Sequence, residues 1–425
     1  MKRSGYTLEL LIVFSLCCHA LTCSDPEDNS PDSTTPTLTE TVPQTATVVV
    51  TPTPTIPITP TPTYSFISDT ITFTKTFGGP KSDYSASIHQ LIDGCYILAG
   101  STASFGESQS EMFLMKLDKY GQQIWLKTFG RESDDYVTEM IVTTDGGYIL
   151  AGSTITGNGR CIYIVRTDHN GIILWEKTFG DENYHYCSLA IRETRDGRFF
   201  IAGSYYTVGP MCYLCLIDGN GDLVWQNQDC FNAVYGPPMS VLETDNGDFL
   251  VLGYLPWVMR VDNAGNLLWA KRYFEQQPAT TYSMIYRHDL NVLIAGYVGS
   301  NVTDRVPFLL TIDTDGNELN FHQFNTENRI DFSAINTSAD GGYILTGGQL
   351  HAGSPYYDVS LLKLDGAGNI EWERAIGDSD VDQGHYLEQT NDWGYIICGK
   401  SQQTYNSSPD VYLIKTDRNG YIFNP

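Results

Sequence analysis

From about residue 71 onward, short apolar runs alternate with tight polar punctuation. In residues 138–179, "TEMIVTT" is followed by "GYILAGST", "CIYIVRTD" and "GIILWEKTF". Each run is rich in β-branched and aromatic residues and is bounded by Gly, Asp or Asn, so each is predicted to be a strand. They are called a, b, c and d. The a–b and c–d joints hold the few Asp, Asn and Gly residues that hairpins require. The b–c joints are longer and variable, such as "STASFGESQSE" (101–111) and "SQQTYNSSPD" (401–410). Run b, Tyr148-Ile149-Leu150-Ala151, does not alternate apolar with polar. It is therefore expected to be covered on both faces by neighbouring sheets.

The four-strand unit repeats. The glycine that ends run b recurs at Gly100, Gly152, Gly203, Gly253, Gly296, Gly347 and Gly399, at intervals of 52, 51, 50, 43, 51 and 52 residues. An Asp-x-x-Gly marker follows each one, beginning at Asp118, Asp168, Asp218, Asp262, Asp313, Asp365 and Asp417. Seven units of four strands predict an all-β fold, a seven-bladed β-propeller with four-stranded blades. "FTKTFGG" (73–79) copies "WLKTFGR" (125–131), the end of a d strand, yet no a, b or c precedes it. The last unit stops at "YIFNP". The N-terminal strand is thus expected to complete the last blade and close the ring.

The pattern resembles the quinoprotein-like propeller repeats of exported bacterial and archaeal proteins. More narrowly it resembles arrays of the type "KTFGG…DY…T-DGGYILAGST…YLIKLD-NG-W", over roughly residues 71–425. That family is largely of unknown function, so the resemblance implies a fold rather than an activity. Trp125, Trp175, Trp225, Trp269 and Trp372 resemble the tryptophan-docking motif of quinoprotein propellers and are expected to wedge between blades. Asn320 and Asn424 stand at that place in units five and seven, so two interfaces are expected to be built differently. A large branch of quinoprotein dehydrogenases uses a vicinal Cys-Cys at the cofactor. Here the pair is Cys17-Cys18, inside the leader.

Several motifs have a bland reading beside a functional one. The Asp-Gly-Gly turn feeds a strand, whereas a phosphate loop needs a helix N-terminus, so the turn reads as architecture. "DGNGD" (218–222) and "DTDGNE" (313–318) have Ca²⁺-like oxygen spacing but lack the twelfth-position Glu and helical frame of an EF-hand. Ca²⁺ and a quinone are the cofactors weighed, and none is assigned. Lys116, Arg166, Arg260, Lys363 and Lys415 share one column, two residues before the marker Asp, and are read as partners in ion pairs between blades. Trp257 falls in an aromatic packing column with Phe113, Tyr163, Tyr213, Phe308 and Tyr412. Cys212 and Cys215, three apart on a strand, point to opposite faces and read as small core residues. His185 and His385 fall in d–a joints and do not form a metal set by spacing. Asp83, Asp134, Asp135, Asp181, Glu182, Asp378, Asp380 and Asp382 lie in those joints too, which makes the face near the channel mouth negative.

The N-terminal part is different in kind. Lys2 and Arg3 precede an apolar run, Leu10–Leu21, too short to span a bilayer, so residues 1–23 read as an export signal. Cys23 is a candidate lipid anchor. Simple cleavage and a prepilin-like signal around Gly5 are the alternatives. Residues 24–65, ending in "TPTPTIPITPTPT", read as an extended Thr/Pro stalk, and residues 66–425 as the propeller. A stalk of roughly 40 residues at ~3.1 Å each reaches on the order of 100 Å.

With 25 Lys and Arg against 50 Asp and Glu, the net charge is −25. That disfavours nucleic acid as a partner. No Gly-x-Ser-x-Gly elbow, Walker loop or His-Glu-x-x-His occurs in the sequence. The expectation is a monomeric, exported, surface-displayed module that binds protein or glycan and contacts the membrane only through a lipid on Cys23. A quinoprotein-like or hydrolytic enzyme and an envelope assembly partner are the alternatives. Tyr205, Tyr206, Tyr356, Tyr357 and Tyr405, near the b–c connections, are the candidate ligand contacts.

Overall fold

The computed structural model describes residues 70–131, 134–157, 159–181, 183–206, 210–228, 236–299, 305–324, 326, 329–350, 356–377, 380–404 and 407–423. The chain divides into Met1–Ser68 and Asp69–Pro425, and every described residue belongs to the second unit. The expected signal, stalk and Cys23 lie outside the described residues.

Seven four-stranded antiparallel sheets stand in a ring, a seven-bladed β-propeller. The inner a strands are Asp83–Gln90, Asp135–Val142, His185–Glu193, Pro238–Glu243, Ala279–Tyr286, Arg329–Thr337 and Val381–Gln389. Each packs on the inner strands of both neighbours. The b strands Tyr96–Thr102 and Phe249–Gly253 are buried throughout, which explains their unbroken apolar runs. The d strands alternate between exposed and half-buried, as in Leu267–Arg272, because only one edge meets the fold.

Closure is built as the repeat pattern implied. Phe73–Phe77 pairs antiparallel with Asp410–Thr416, from Phe73 opposite Lys415 to Phe77 opposite Val411, and becomes strand d of blade 7. Across the seam, Ile88, Leu98 and Phe113 of blade 1 share a core with Ile396, Cys398 and Leu413 of blade 7. The seam is therefore held by apolar burial as well as by the ladder.

The tryptophans dock on the next blade's c–d turn. A Cβ at Gly171 would lie 3.1 Å from Trp125, one at Gly221 2.9 Å from Trp175, and one at Gly265 2.8 Å from Trp225. Trp175 Nε1 donates to Gly219 O at 3.0 Å and Trp225 Nε1 to Asn263 O at 2.9 Å. Blade 7 corrects the expectation drawn from Asn424. Its d strand comes from the other end of the chain, so Phe73 takes the tryptophan's place, 2.7 Å from a Cβ at Gly121. Blade 5 does differ: with Asn320 there, a Cβ at Gly368 would meet only Leu309, at 3.9 Å.

Every inner strand carries a register shift at the same place, for example between Ser85 and Ser87 and between Val137 and Glu139. In five blades the bulge aims a carbonyl at the recurring glycine: Tyr84 O at Gly100, Tyr136 O at Gly152, Thr280 O at Gly296, Asp331 O at Gly347 and Gln383 O at Gly399. A side chain at those glycines would collide with backbone, which accounts for the repeat.

Side chains also bridge the inner strands. Met140 N donates to Ser87 Oγ at 3.0 Å, and Ile191 N donates to Glu139 Oε2 at 2.7 Å. Arg192 Nη2 donates to Val241 O at 3.1 Å. His89 Nε2 donates to Met140 O at 3.1 Å, while Nδ1 lies 2.9 Å from Glu388 Oε2 across the closing seam. Burial alone would lower the His89 pKa, but the Glu388 hydrogen bond and charge outweigh it and the net shift is upward.

Candidate functional site

The antiparallel meander puts the a–b and c–d turns on one face and the b–c and d–a connections on the other. On the first face the fold consumes the polar groups. Asp118 Oδ1 accepts from Tyr120 N and Gln122 N, both at 2.8 Å. Asp168, Asp218, Asp262, Asp313, Asp365 and Asp417 do the same with the second and fourth residues after them. The Ca²⁺-like stretches at 218–222 and 313–318 are two of these turns. Among the described residues, no group of three or more His, Cys, Asp or Glu is placed to hold a metal ion.

The column of bases forms ion pairs, but mostly inside a blade rather than between blades. Lys116 meets Asp93, Arg166 meets Asp145, Lys363 meets Asp340 and Lys415 meets Asp392, each in its own a–b turn. Arg260 alone also reaches the next blade, at Asp315. The reason is local register: the c strand ends beside the turn joining a and b. Where the column holds Leu216 or Thr311, the turn acid finds another arginine, Asp196 with Arg198 and Asp289 with Arg287.

On the opposite face, three of the acids expected to make the mouth negative are buried. Asp83, Asp135 and Asp382 have at most 2% of their surface exposed. Asp83 accepts from Thr102 Oγ1 at 2.5 Å, Ser104 Oγ at 2.7 Å and Gly79 N at 3.0 Å, tying the d–a joint down. Burial raises the Asp135 pKa against the pull of Thr154 and Arg131.

The residue after the recurring glycine leads into each b–c connection. Around the ring it reads Ser101, Ser153, Ser204, Tyr254, Tyr297, Gly348 and Lys400. In blade 1 it is mortar: Val137 N of the next blade donates to Ser101 Oγ at 2.8 Å. Blades 4 to 7 break the column. The bulge position breaks at three of them: Ala86, Thr138 and Ser333 give way to Met239 in blade 4, Tyr282 in blade 5 and His385 in blade 7.

From blade 4 to blade 6 a belt of contacts runs through these positions. Tyr254 and Tyr282 meet edge-on with centroids 5.9 Å apart. Tyr282 Oη donates to Tyr297 Oη at 3.0 Å, and burial and that bond push the Tyr282 pKa well up. The Arg305 guanidinium lies 4.2 Å over the Tyr297 ring and 3.2 Å from Asp331 in blade 6. Tyr357 Oη donates to the other Asp331 oxygen at 3.4 Å. A Cβ at Gly348 would sit 2.9 Å from Tyr357 and 3.3 Å from Gln383, which is cross-strand from Lys400 in blade 7.

In blade 4 the b–c connection, Tyr254-Leu255-Pro256, begins directly after the recurring glycine, and beside it lies a groove of about 450 Å³. The lining includes Tyr254, Tyr297, Arg272, Arg305, Gln276 and Gln277. The short connection is pinned from three sides: Tyr254 N donates to Pro237 O, Thr281 N to Tyr254 O and Tyr273 N to Pro256 O, all within 2.9 Å. Beside it Phe274 holds a left-handed φ of 60° between the rings of Phe308 and Phe321. A non-glycine residue in that region marks a backbone constrained by its surroundings.

Of the sequence candidates, Tyr357 belongs to this belt, and Tyr356 is half-buried next to it. Tyr205 is 6% exposed, with its ring stacked 5.5 Å from Tyr186 and tilted 5.4 Å from Tyr184, and its Oη bonded to Gln228 O. The side chain of Tyr206, and Tyr405 entirely, lie outside the described residues. His185 and His385 sit on inner strands rather than in the joints. Trp257 and the two cysteines pack as expected, Cys212 in the core between blades 3 and 4 and Cys215 in that between blades 2 and 3. Burial pushes the Cys215 thiol up to about 12. Sequence reasoning missed Tyr254, Tyr282, Tyr297, Arg305 and Lys400. For Tyr254, Tyr297 and Lys400 the signal was available in the column following the glycine.

No family model matches the chain, and no curated protein matches it. Among solved structures it is similar to a protein of unknown function from Bacteroides caccae, at 13% identity and a TM-score of 0.44. That match covers 63% of this chain and 90% of the other.

Proposed function

We propose that the protein is an exported binding module that presents the mouth of its propeller to a glycan. The groove beside Tyr254 and Tyr297 carries the reading. Sugar rings stack their C–H faces on aromatic side chains, while planar guanidinium and amide groups bond the hydroxyls. Arg272, Arg305, Gln276 and Gln277 supply those groups beside the tyrosines. A groove with a pinned rim also lowers the ordering cost of binding. Export, the stalk over 24–65 and lipidation of Cys23 complete the proposal as the means of display. A glycan array probed with the full chain tests the binding. A restricted set of glycans is expected to bind, with the signal lost in Tyr254→Ala. Signal from no glycan, or undiminished signal from Tyr254→Ala, contradicts the reading. Mass analysis of the N-terminal peptide tests the anchor, with a diacylglyceryl adduct expected on Cys23.

A further inference from the structure

We propose that Lys400 and His385 form a carboxylate subsite at this mouth, so that the bound glycan carries an acidic sugar; the assignment rests on the glycan reading above.

At the seam of blades 7 and 1, Ser85 ties His385 to the backbone just before Lys400. His385 Nδ1 donates to Ser85 O at 3.1 Å, and Ser85 Oγ donates to the carbonyl of Gly399, the residue before Lys400, at 2.7 Å. The bulge of its strand sets His385 off the ladder between Gly384 and Tyr386. Because Nδ1 holds the proton toward Ser85, Nε2 is the nitrogen left for a ligand.

Lys400 differs from Lys415 of its own blade and from Lys363 of blade 6. Lys363 and Lys415 are nearly fully buried, yet each meets a turn carboxylate at 2.9 Å. Lys400 is half-buried, and its ammonium makes no hydrogen bond or ion pair with any described residue. Burial lowers its pKa, with no carboxylate near enough to oppose the shift. Of the acids at this mouth, Asp83 is taken up by Thr102, Ser104 and Gly79. An ammonium held without a counter-ion in a chain of charge −25 is a place prepared for an anion from outside. Burial lowers the His385 pKa and the charge of Lys400 adds to that shift, so an anion beside them relieves both costs.

The test is NMR titration of the full chain with methyl β-D-glucuronide, methyl β-D-glucoside and a short peptide with a free C-terminal carboxylate. The glucuronide is expected to bind at least about tenfold more tightly than the glucoside and to shift the amides of Ser85 and Gly399. Lys400→Met is expected to erase that preference and Lys400→Arg to keep part of it, while Tyr254→Ala weakens both sugars alike. Equal binding of the two sugars overturns the subsite and leaves the glycan reading standing. Peptide binding without glucuronide binding overturns the assignment to a sugar. Glucuronide preference unchanged in both Lys400→Met and His385→Gln also overturns it.

Discussion

The two faces of the propeller treat the same seven repeats in opposite ways. On the turn face, seven aspartates cap seven turns with the same pair of backbone hydrogen bonds. At the mouth, the residue after the recurring glycine is Ser, Ser, Ser, Tyr, Tyr, Gly and Lys in ring order. The backbone position is equivalent in each blade, so the fold does not dictate the difference. Positions that the fold needs are uniform because every blade faces the same steric and hydrogen-bonding problem. Positions that vary around the ring are free to serve something outside it.

This contrast is open to attack at several points. The largest expected effect is on the turn face: Asp392→Ala strands Lys415, which is 1% exposed, without its partner. Breaking such a buried pair costs about 3–5 kcal/mol, seen as a lowered urea midpoint. Gly152→Ala drives a Cβ against Tyr136 O and is expected to cost about 1–3 kcal/mol by the same measurement. The seam predicts a pH effect. Because the folded His89 pKa is raised above 6.5, its contribution is present below 6.5 and lost as pH rises through the folded value. Urea midpoints between pH 5 and 9 should therefore carry a downward slope that Glu388→Gln removes. At the small end, Leu290 and Trp393 hold φ of 65° and 67° in a–b turns where other blades use glycine. Leu290→Gly is expected to stabilise by about 1 kcal/mol, and a thermal midpoint that falls would contradict the strain. At the mouth, Tyr254→Ser and Lys400→Ser should each change stability by less than about 1 kcal/mol.

The same contrast explains what could be read without coordinates. Blade number, strand order and the latch follow from repetition, since "FTKTF" announces a d strand with no partners before it. Phe73 as the seventh docking ring was hidden because strand swapping places it beside residues more than 300 positions away. The bases aligned as a column, but a column does not name its partner, and the turn acid proved nearer than the next blade. Tyr205 reads as a loop residue until the b strand is seen to run to Tyr206. The mouth was the hardest part. Tyr254, Tyr297 and Lys400 are unlike one another, and only the shared register with Ser101 shows that they hold equivalent positions around the mouth.

One paired measurement tests the division of labour directly: the unfolding midpoint and the glycan-array signal of Asp392→Ala and of Tyr254→Ser/Lys400→Ser, taken side by side with the native chain. The turn-face variant is expected to lose stability and, while folded, to keep the native pattern of bound glycans. The mouth variant is expected to keep the midpoint and lose the pattern. A mouth variant that binds as the native chain does would place the function elsewhere and contradict the reading of the variable column.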